Sequence, residues 1–71
     1  MEIVLFNNVR TVIKAEKLIR NKHFMCQVRP VPTTITSECG MCLEIDSKEK
    51  ESVVDILSTN NFEFSICEIT D

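Results

Sequence analysis

The sequence of 71 residues has very little glycine, histidine or proline. Gly40 is the only glycine, His23 is the only histidine, and the two prolines are Pro30 and Pro32. A single glycine excludes the glycine-rich loops that hold phosphate groups in nucleotide-binding proteins. No Ser/His/Asp set stands out either, and no pair of carboxylates is placed for acid–base catalysis. The residues therefore show no pattern typical of the common hydrolases or nucleotide-binding proteins.

Positive charge and long apolar runs are also scarce. Eight basic residues face eleven acidic ones, which gives a net charge of −3. Nucleic acids and anionic membranes bind basic surfaces, so we expect neither as a partner. The apolar run at the start, Ile3–Phe6, is too short for a secretory signal or a transmembrane helix. We therefore expect a cytoplasmic protein whose four cysteines are thiols rather than a disulfide framework.

The length predicts one domain that spans residues 1–71. Its hydrophobic fraction of 44% and charged fraction of 27% are those of a folded globular chain. A domain of this size buries only about 60% of the surface that its unfolded chain exposes, so its stability should be modest. Formation of a homodimer is one arrangement that would increase this stability.

The spacing of apolar residues predicts four strands and two helices. The strands are expected at residues 3–6, 24–31, 41–45 and 64–69, and Pro30 and Pro32 end the second of them. The first helix follows Asn8, a good N-cap, and ends near Asn21. Its apolar face should contain Val9, Val12, Ile13, Ala15, Leu18 and Ile19.

The second helix follows Asp46 and Glu49, whose spacing is that of a capping box. It ends at Asn60–Asn61. The element order βαββαβ indicates a ferredoxin-like α+β fold. Right-handed crossovers then give a four-stranded antiparallel sheet in the order 4-1-3-2, with both helices on one face.

Cys39 and Cys42 form a C-x-x-C pair in the region between the second and third strands. The predicted topology brings them to the same end as the N-terminus of the first helix, near Asn8 and Arg10. The partial positive charge of that terminus lowers the pKa of a nearby thiol, and Arg10 or Arg29 would act in the same direction. Glu38 would act in the opposite direction, so the sequence leaves the balance open.

Three chemistries use a C-x-x-C pair: thiol–disulfide exchange, soft-metal binding and thiol-based atom transfer. A structural zinc site needs four ligands, and His23 is expected at the other end of the domain. Copper chaperones with this fold carry their cysteines after the first strand, where this chain has Asn7 and Asn8. Thioredoxin-like proteins place the first cysteine at the start of a helix, whereas residues 41–45 are typical of a strand.

The other cysteines and the single glycine have simpler interpretations. Cys26 and Cys67 lie within predicted strands at opposite edges of the sheet, where they are expected to behave as small buried hydrophobic residues. Gly40 is expected to occupy a backbone position with positive φ, or to let a partner approach Cys39 closely.

A resemblance to a known family follows from the segment around Cys39. The Pro-x-Pro pair at 30–32, together with Ile35, Ser37 and Cys39–Gly40, resembles the signature of the DUF3343 family of Se/S carrier-like proteins. The likeness extends over essentially the whole chain, from the first strand to residues 62–69. Two positions depart from the family pattern: Thr33 replaces an arginine, and Cys42 replaces a small apolar residue.

The resemblance implies a carrier rather than an enzyme. Cys39 would take sulfur or selenium from one protein and give it to another without a cofactor, and Cys42 would act as a resolving thiol. Gly40 and Ser37 belong to the matching segment, and the predicted topology places Arg10 and Asn8 near it, so these four residues are expected to support the site. Two alternatives stay open at this point: a soft-metal-binding or regulatory module that uses Cys39 and Cys42, and a plain interaction domain.

Overall fold

The computed structural model describes residues 1–32, 34–35 and 40–68. This part of the chain has the predicted element order, with a short 3₁₀ turn at Ser47–Glu49. The bounds are β1 Glu2–Leu5, α1 Val9–Asn21, β2 Cys26–Pro30, β3 Met41–Ile45, α2 Lys50–Thr59 and β4 Ser65–Glu68. Among the described residues no helix has the length and apolar character needed to cross a bilayer.

The four strands form one antiparallel sheet in the order β2-β3-β1-β4. This is the predicted order, counted from the opposite edge. The register places Leu5 of β1 opposite Cys42 of β3, and Val4 opposite Leu43. Because successive side chains point to opposite faces of a sheet, Cys42 and Leu43 face in opposite directions.

Both helices pack on the same face of this sheet. One cluster of buried residues combines Val12, Ala15 and Ile19 of α1 with Val53 and Leu57 of α2 and with residues of the central strands, Val4, Leu43 and Ile45. Each fully buried aliphatic side chain of this kind contributes about 1.5–3 kcal/mol relative to an exposed one. The cluster therefore forms the hydrophobic core that holds the α-helices to the sheet.

Two residues of the expected apolar face of α1 are exposed. Val9 and Ile13 are 47% and 45% exposed. The buried residues Val12, Ala15 and Ile19 define the centre of the buried face, and at 100° per residue Val9 and Ile13 lie to one side of it. The prediction that all six apolar residues share the buried face was therefore wrong for these two.

The ends of the helices use local hydrogen bonds. Asn8 caps α1, because its side-chain oxygen accepts from the backbone N–H of Thr11 at 3.0 Å. His23 and Asn61 have φ of 68° and 62°. Each follows the last turn of a helix and stops it in a Schellman arrangement, in which the next residue donates back to the helix. The predicted end of α2 at Asn60–Asn61 is confirmed.

The start of α2 differs from the capping box that the sequence predicted. The Asp46 carboxylate accepts from the Lys48 N–H at 3.0 Å and caps the 3₁₀ turn, so α2 itself begins only at Lys50. Close by, the Glu2 side chain is only 2% exposed. Its Oε2 accepts from the Ser47 hydroxyl at 3.2 Å, and its Oε1 lies 3.6 Å from Lys50 Nζ. These contacts tie β1 to the start of α2.

Candidate functional site

The loop between β2 and β3 is closed by a backbone hydrogen bond. The N–H of Val31 donates to the carbonyl oxygen of Gly40 at 2.9 Å, which extends the β2–β3 ladder by one residue pair. The Ile35 N–H donates to the Pro32 carbonyl at 3.0 Å, which makes a turn at the start of the loop. The predicted thiol Cys39 lies outside the described residues, as do Thr33 and Ser37. The structure thus describes the two attachment points of the loop that carries Cys39.

Gly40 has a φ of +75° and an exposed backbone. The predicted positive φ is confirmed. An added Cβ at this position would meet no atom within 4 Å, so glycine is required by the backbone conformation and not by a crowded neighbour. Residues with a side chain adopt this conformation only at a cost. The loop therefore joins β3 through a residue type that occurs once in the chain.

The closed end of the loop lies next to the start of α1. Cys42 is paired with Leu5, and the chain runs from Leu5 through the buried Phe6 to Asn8, the N-cap of α1. Arg10 is exposed in the first turn of the same helix, and that turn contains no acidic residue. The topology therefore brings Asn8, Arg10 and Gly40 to one end of the domain, while their support of Cys39 stays a prediction.

Cys42 is fully buried in β3. Its side chain lies on the sheet face opposite the helices, because Leu43 and Ile45 belong to the core cluster on the other face. The Sγ atom lies 4.0 Å from the carbonyl oxygen of Pro30, a weak hydrogen bond across the β2–β3 pair. Its predicted role as a resolving or metal-binding thiol is not tested by this placement.

Arg29 lies opposite Cys42 on the neighbouring strand. Its guanidinium donates to the Gln27 side-chain oxygen at 2.7 Å, and its Nε lies 3.7 Å from Glu44 Oε1. Gln27 and Glu44 lie opposite each other, two positions farther from the loop than Arg29 and Cys42. Arg29 is thus engaged in the direction away from the loop, so of the two predicted cations, Arg10 is the one that the structure places near the start of α1.

Cys26 is the first residue of β2 and is only 4% exposed. Burial raises the pKa of its thiol, and the nearby Arg20 partly offsets this effect. The thiol donates weakly to the Glu16 carbonyl at 3.9 Å, and the Cys26 carbonyl accepts from Arg20 Nη2 at 2.6 Å. These contacts suit the predicted structural role. Cys67 is half-buried on β4, at the other edge of the sheet.

The described residues contain no group of three or more His, Cys, Asp or Glu side chains arranged for a metal ion. His23 is exposed where α1 ends, which is the opposite end of that helix from Asn8. The alternative metal site would use Cys39 together with Cys42, and it extends beyond the described part of the chain.

A polar cleft lies beside the N-terminus of α1, on the side of α2. Its volume is about 390 Å³, and amide side chains line much of it, among them Asn8, Asn60 and Asn61. Phe6 and Phe62 pack edge to face with ring centroids 6.2 Å apart, and this contact joins the end of β1 to the end of α2. The cleft has no buried polar group, so the structure gives it no defined ligand.

The sequence interpretation missed the exposed apolar pair Val9 and Ile13, which lies on α1 beside the cationic residues of the same helix. The signal that identifies them is their angular distance from the centre of the buried stripe at Val12, Ala15 and Ile19. Their spacing of four residues makes them neighbours on the helix surface.

Comparison with known proteins identifies the family. Residues 2–67 match the sequence profile of the family described as "Putative Se/S carrier protein-like". The match covers almost the entire chain, so the chain belongs to this family. No curated protein and no solved structure matches it significantly.

Proposed function

We propose that this member of the Se/S carrier protein-like family transfers sulfur or selenium between proteins through Cys39. The family match over residues 2–67 is the observation that carries the proposal. Three described features support it. The loop with Cys39 is fixed at both ends by the Val31–Gly40 hydrogen bond, it closes beside the N-terminus of α1, and Arg10 is exposed in that first turn.

The loading step is a displacement at sulfur. The Cys39 thiolate attacks the terminal sulfur of a cysteine persulfide on the donor protein. A new S–S bond forms on Cys39, the S–S bond of the donor breaks, and the donor cysteine leaves as a thiolate. Selenium would move in the same way from a donor selenopersulfide, with a sulfur–selenium bond broken and another formed. Positive potential at the N-terminus of α1 favours the attacking thiolate.

Cys42 would release the carried sulfur or selenium atom from Cys39. Its thiolate would attack the Sγ of the loaded Cys39, so that a Cys39–Cys42 disulfide forms and the carried atom leaves as hydrosulfide or hydroselenide. A cellular dithiol then supplies the two electrons that reduce the disulfide. Cys42 is the second residue of β3 and follows Cys39 by three positions, so the two thiols are close along the chain.

The same proposal includes the scaffold and the setting. We take the sheet and its two helices as a ferredoxin-like fold, with crossovers of the usual right hand. A reducing compartment such as the cytoplasm keeps the carrier thiol reduced. The partners are then a donor protein and an acceptor protein, and the domain itself acts as a carrier without a cofactor, either as a monomer or as a homodimer.

Loading by a cysteine desulfurase with cysteine tests the proposal. Intact-protein mass spectrometry without reductant should find wild-type protein with an added mass of ~32 Da, the mass of one persulfide sulfur. The Cys39→Ser variant should remain unloaded. Cys26→Ser is the matched control, because it removes a buried thiol far from the loop, and it should load like the wild type.

Two results would contradict the proposal. Loading that persists in Cys39→Ser would assign the chemistry to another thiol. Stoichiometric retention of zinc or copper(I), lost when either Cys39 or Cys42 is replaced, would assign the pair to a metal. The Cys42→Ala variant tests the release step, since it should accumulate the loaded form and never show the two-hydrogen loss of the internal disulfide.

A further inference from the structure

The charges of this chain are segregated. Residues 9–22, which comprise α1 and its C-cap, contain five of the eight basic residues and one of the eleven acidic ones. Five cations against one anion give +4 for this segment, whereas the remaining three cations and ten anions give −7. An acidic protein therefore presents one cationic helix.

The cations of α1 form a stripe. Arg10, Lys14 and Lys17 recur at intervals of four and three residues, so they are neighbours on one side of the helix. All three side chains are exposed. Among the described residues none of the three takes part in an ion pair, in contrast to Arg20, whose Nε lies 3.6 Å from Glu16 Oε2. The stripe is thus available to an anionic surface.

An apolar pair lies directly beside this stripe. Val9 and Ile13 are two of the four large hydrophobic side chains that are exposed in the described part of the chain. Glu16 and Arg20 continue their side of the helix, and Arg20 contacts Cys26 of β2. This side of α1 therefore flanks β2, the strand that leads into the loop with Cys39. Apolar contact bordered by charge is the usual arrangement of a protein interface.

The helix is unsuited to insertion into a membrane. The residues that would have to enter a lipid layer, Val12, Ala15 and Ile19, are fully buried in the core. Three cations on an acidic protein are also a small footprint for nucleic acid. The charge and the two exposed apolar side chains fit a protein surface best.

We infer that the outward side of α1, formed by Val9, Arg10, Ile13, Lys14 and Lys17, docks an acidic surface with an apolar centre on the protein that donates sulfur or selenium. The inference rests on the proposed carrier function and names its partner surface. A donor docked along α1 has its reactive cysteine guided to the end of the domain where the helix begins. Attraction between the cationic helix and an acidic donor surface accelerates their association. It also disfavours binding to thiol proteins that lack such an acidic surface.

Transfer rates from a persulfide-loaded cysteine desulfurase test the docking surface. The Lys14→Glu/Lys17→Glu variant reverses two charges within the stripe. The control, Lys22→Glu/Lys48→Glu, makes the same change in net charge at exposed positions outside it. Each protein is also loaded with a small-molecule persulfide, glutathione persulfide, which needs no docking.

We expect the second-order transfer rate of the stripe variant to fall by about tenfold or more at low salt, since steering charges act mainly on association. The control should stay within about twofold of wild type, and Ile13→Ser should slow transfer without changing its salt dependence. Loading by glutathione persulfide should be equal in all variants. Failure of wild-type loading by that reagent would contradict the carrier function itself.

Four results would overturn the docking inference while leaving the carrier function intact. Transfer in the stripe variant that matches the control is the first. Wild-type transfer that is independent of salt is the second. The third is binding of the wild type, but not of the stripe variant, to phosphatidylglycerol vesicles or single-stranded DNA. The fourth is a change of oligomeric state in the stripe variant alone, which would assign this side of α1 to a second copy of the chain.

Discussion

At the scale of single residues, Gly40 is the position where the chain depends most clearly on one residue type. Its φ of +75° lies in the left-handed region, and its carbonyl accepts the hydrogen bond that closes the loop. The space around it is open. A side chain at this position therefore costs free energy through the backbone alone, and the cost falls on the attachment point of the proposed carrier loop.

We expect Gly40→Ala to lower the free energy of unfolding by about 1 kcal/mol, the usual cost of a left-handed residue with a Cβ. Urea denaturation followed by circular dichroism measures the change. Ser65→Ala, an exposed substitution on β4, should change stability by less than about 0.5 kcal/mol. A Gly40→Ala protein as stable as the wild type would mean that residue 40 leaves the left-handed region in solution.

At the scale of elements, the N-terminus of α1 depends on one side chain. Asn8 Oδ1 accepts both the backbone N–H of Thr11 at 3.0 Å and its hydroxyl at 3.1 Å. This cap fixes where the helix begins, and hence where its positive end lies relative to the loop. Within the described ranges, the side chain of the neighbouring Asn7 makes one long contact of 3.5 Å with Glu63 at the surface.

Replacement of Asn8 by alanine should destabilise the protein by about 1 kcal/mol, because an N-cap acceptor is lost. Asn7→Ala is the matched control and should cost less than about 0.5 kcal/mol. Thermal and urea unfolding of the two variants give the comparison. Equal losses in both would contradict the cap, since they would point to general loosening of this end of the domain.

The order and type of the elements were predictable because each one satisfies a simple local pattern. The apolar runs gave the four strands, and the handedness of crossovers then gave the order of β2, β3, β1 and β4 in the sheet. The error at Val9 and Ile13 has a geometric cause, since α1 buries a narrower stripe than its six apolar residues suggest. The full burial of Cys42 was not predictable, because it depends on neighbours brought together only by the fold.

At the scale of the whole molecule, the two ends of the domain have different roles. The end with Asn8 and Gly40 carries the proposed site. The other end is fixed by the buried Glu2 carboxylate between Ser47 and Lys50. A domain of this size has a small hydrophobic core. Ionisation of a single buried group can therefore change the free energy of unfolding of the whole domain.

Cys26 supplies such a group. Its pKa is raised above 9.0 in the folded protein, chiefly by burial. Above pH 9.0 the unfolded thiol loses its proton while the folded one keeps it. The unfolded state then binds fewer protons, and the free energy of unfolding falls as the pH rises. Well below pH 9.0 both states hold the proton, and this group contributes no pH dependence.

Urea denaturation at a series of alkaline pH values should therefore show a shallower decline of stability for Cys26→Ala than for the wild type. Ser65→Ala is the control, because it removes no group that ionises in this range, and it should keep the wild-type slope. Parallel curves for wild type and Cys26→Ala would show that the Cys26 thiol ionises equally in both states.

The exposed edge of β2 is protected against the addition of further strands. Val31 is hydrogen-bonded to Gly40, so the alternation of an antiparallel ladder directs the backbone nitrogen of Pro30 and the carbonyl of Cys26 away from β3. The proline nitrogen has no hydrogen to donate, and the carbonyl already accepts from Arg20 at 2.6 Å. A strand from another molecule can form a hydrogen bond with neither of these two groups. Edge-to-edge aggregation is therefore disfavoured along the strand that leads to the reactive loop.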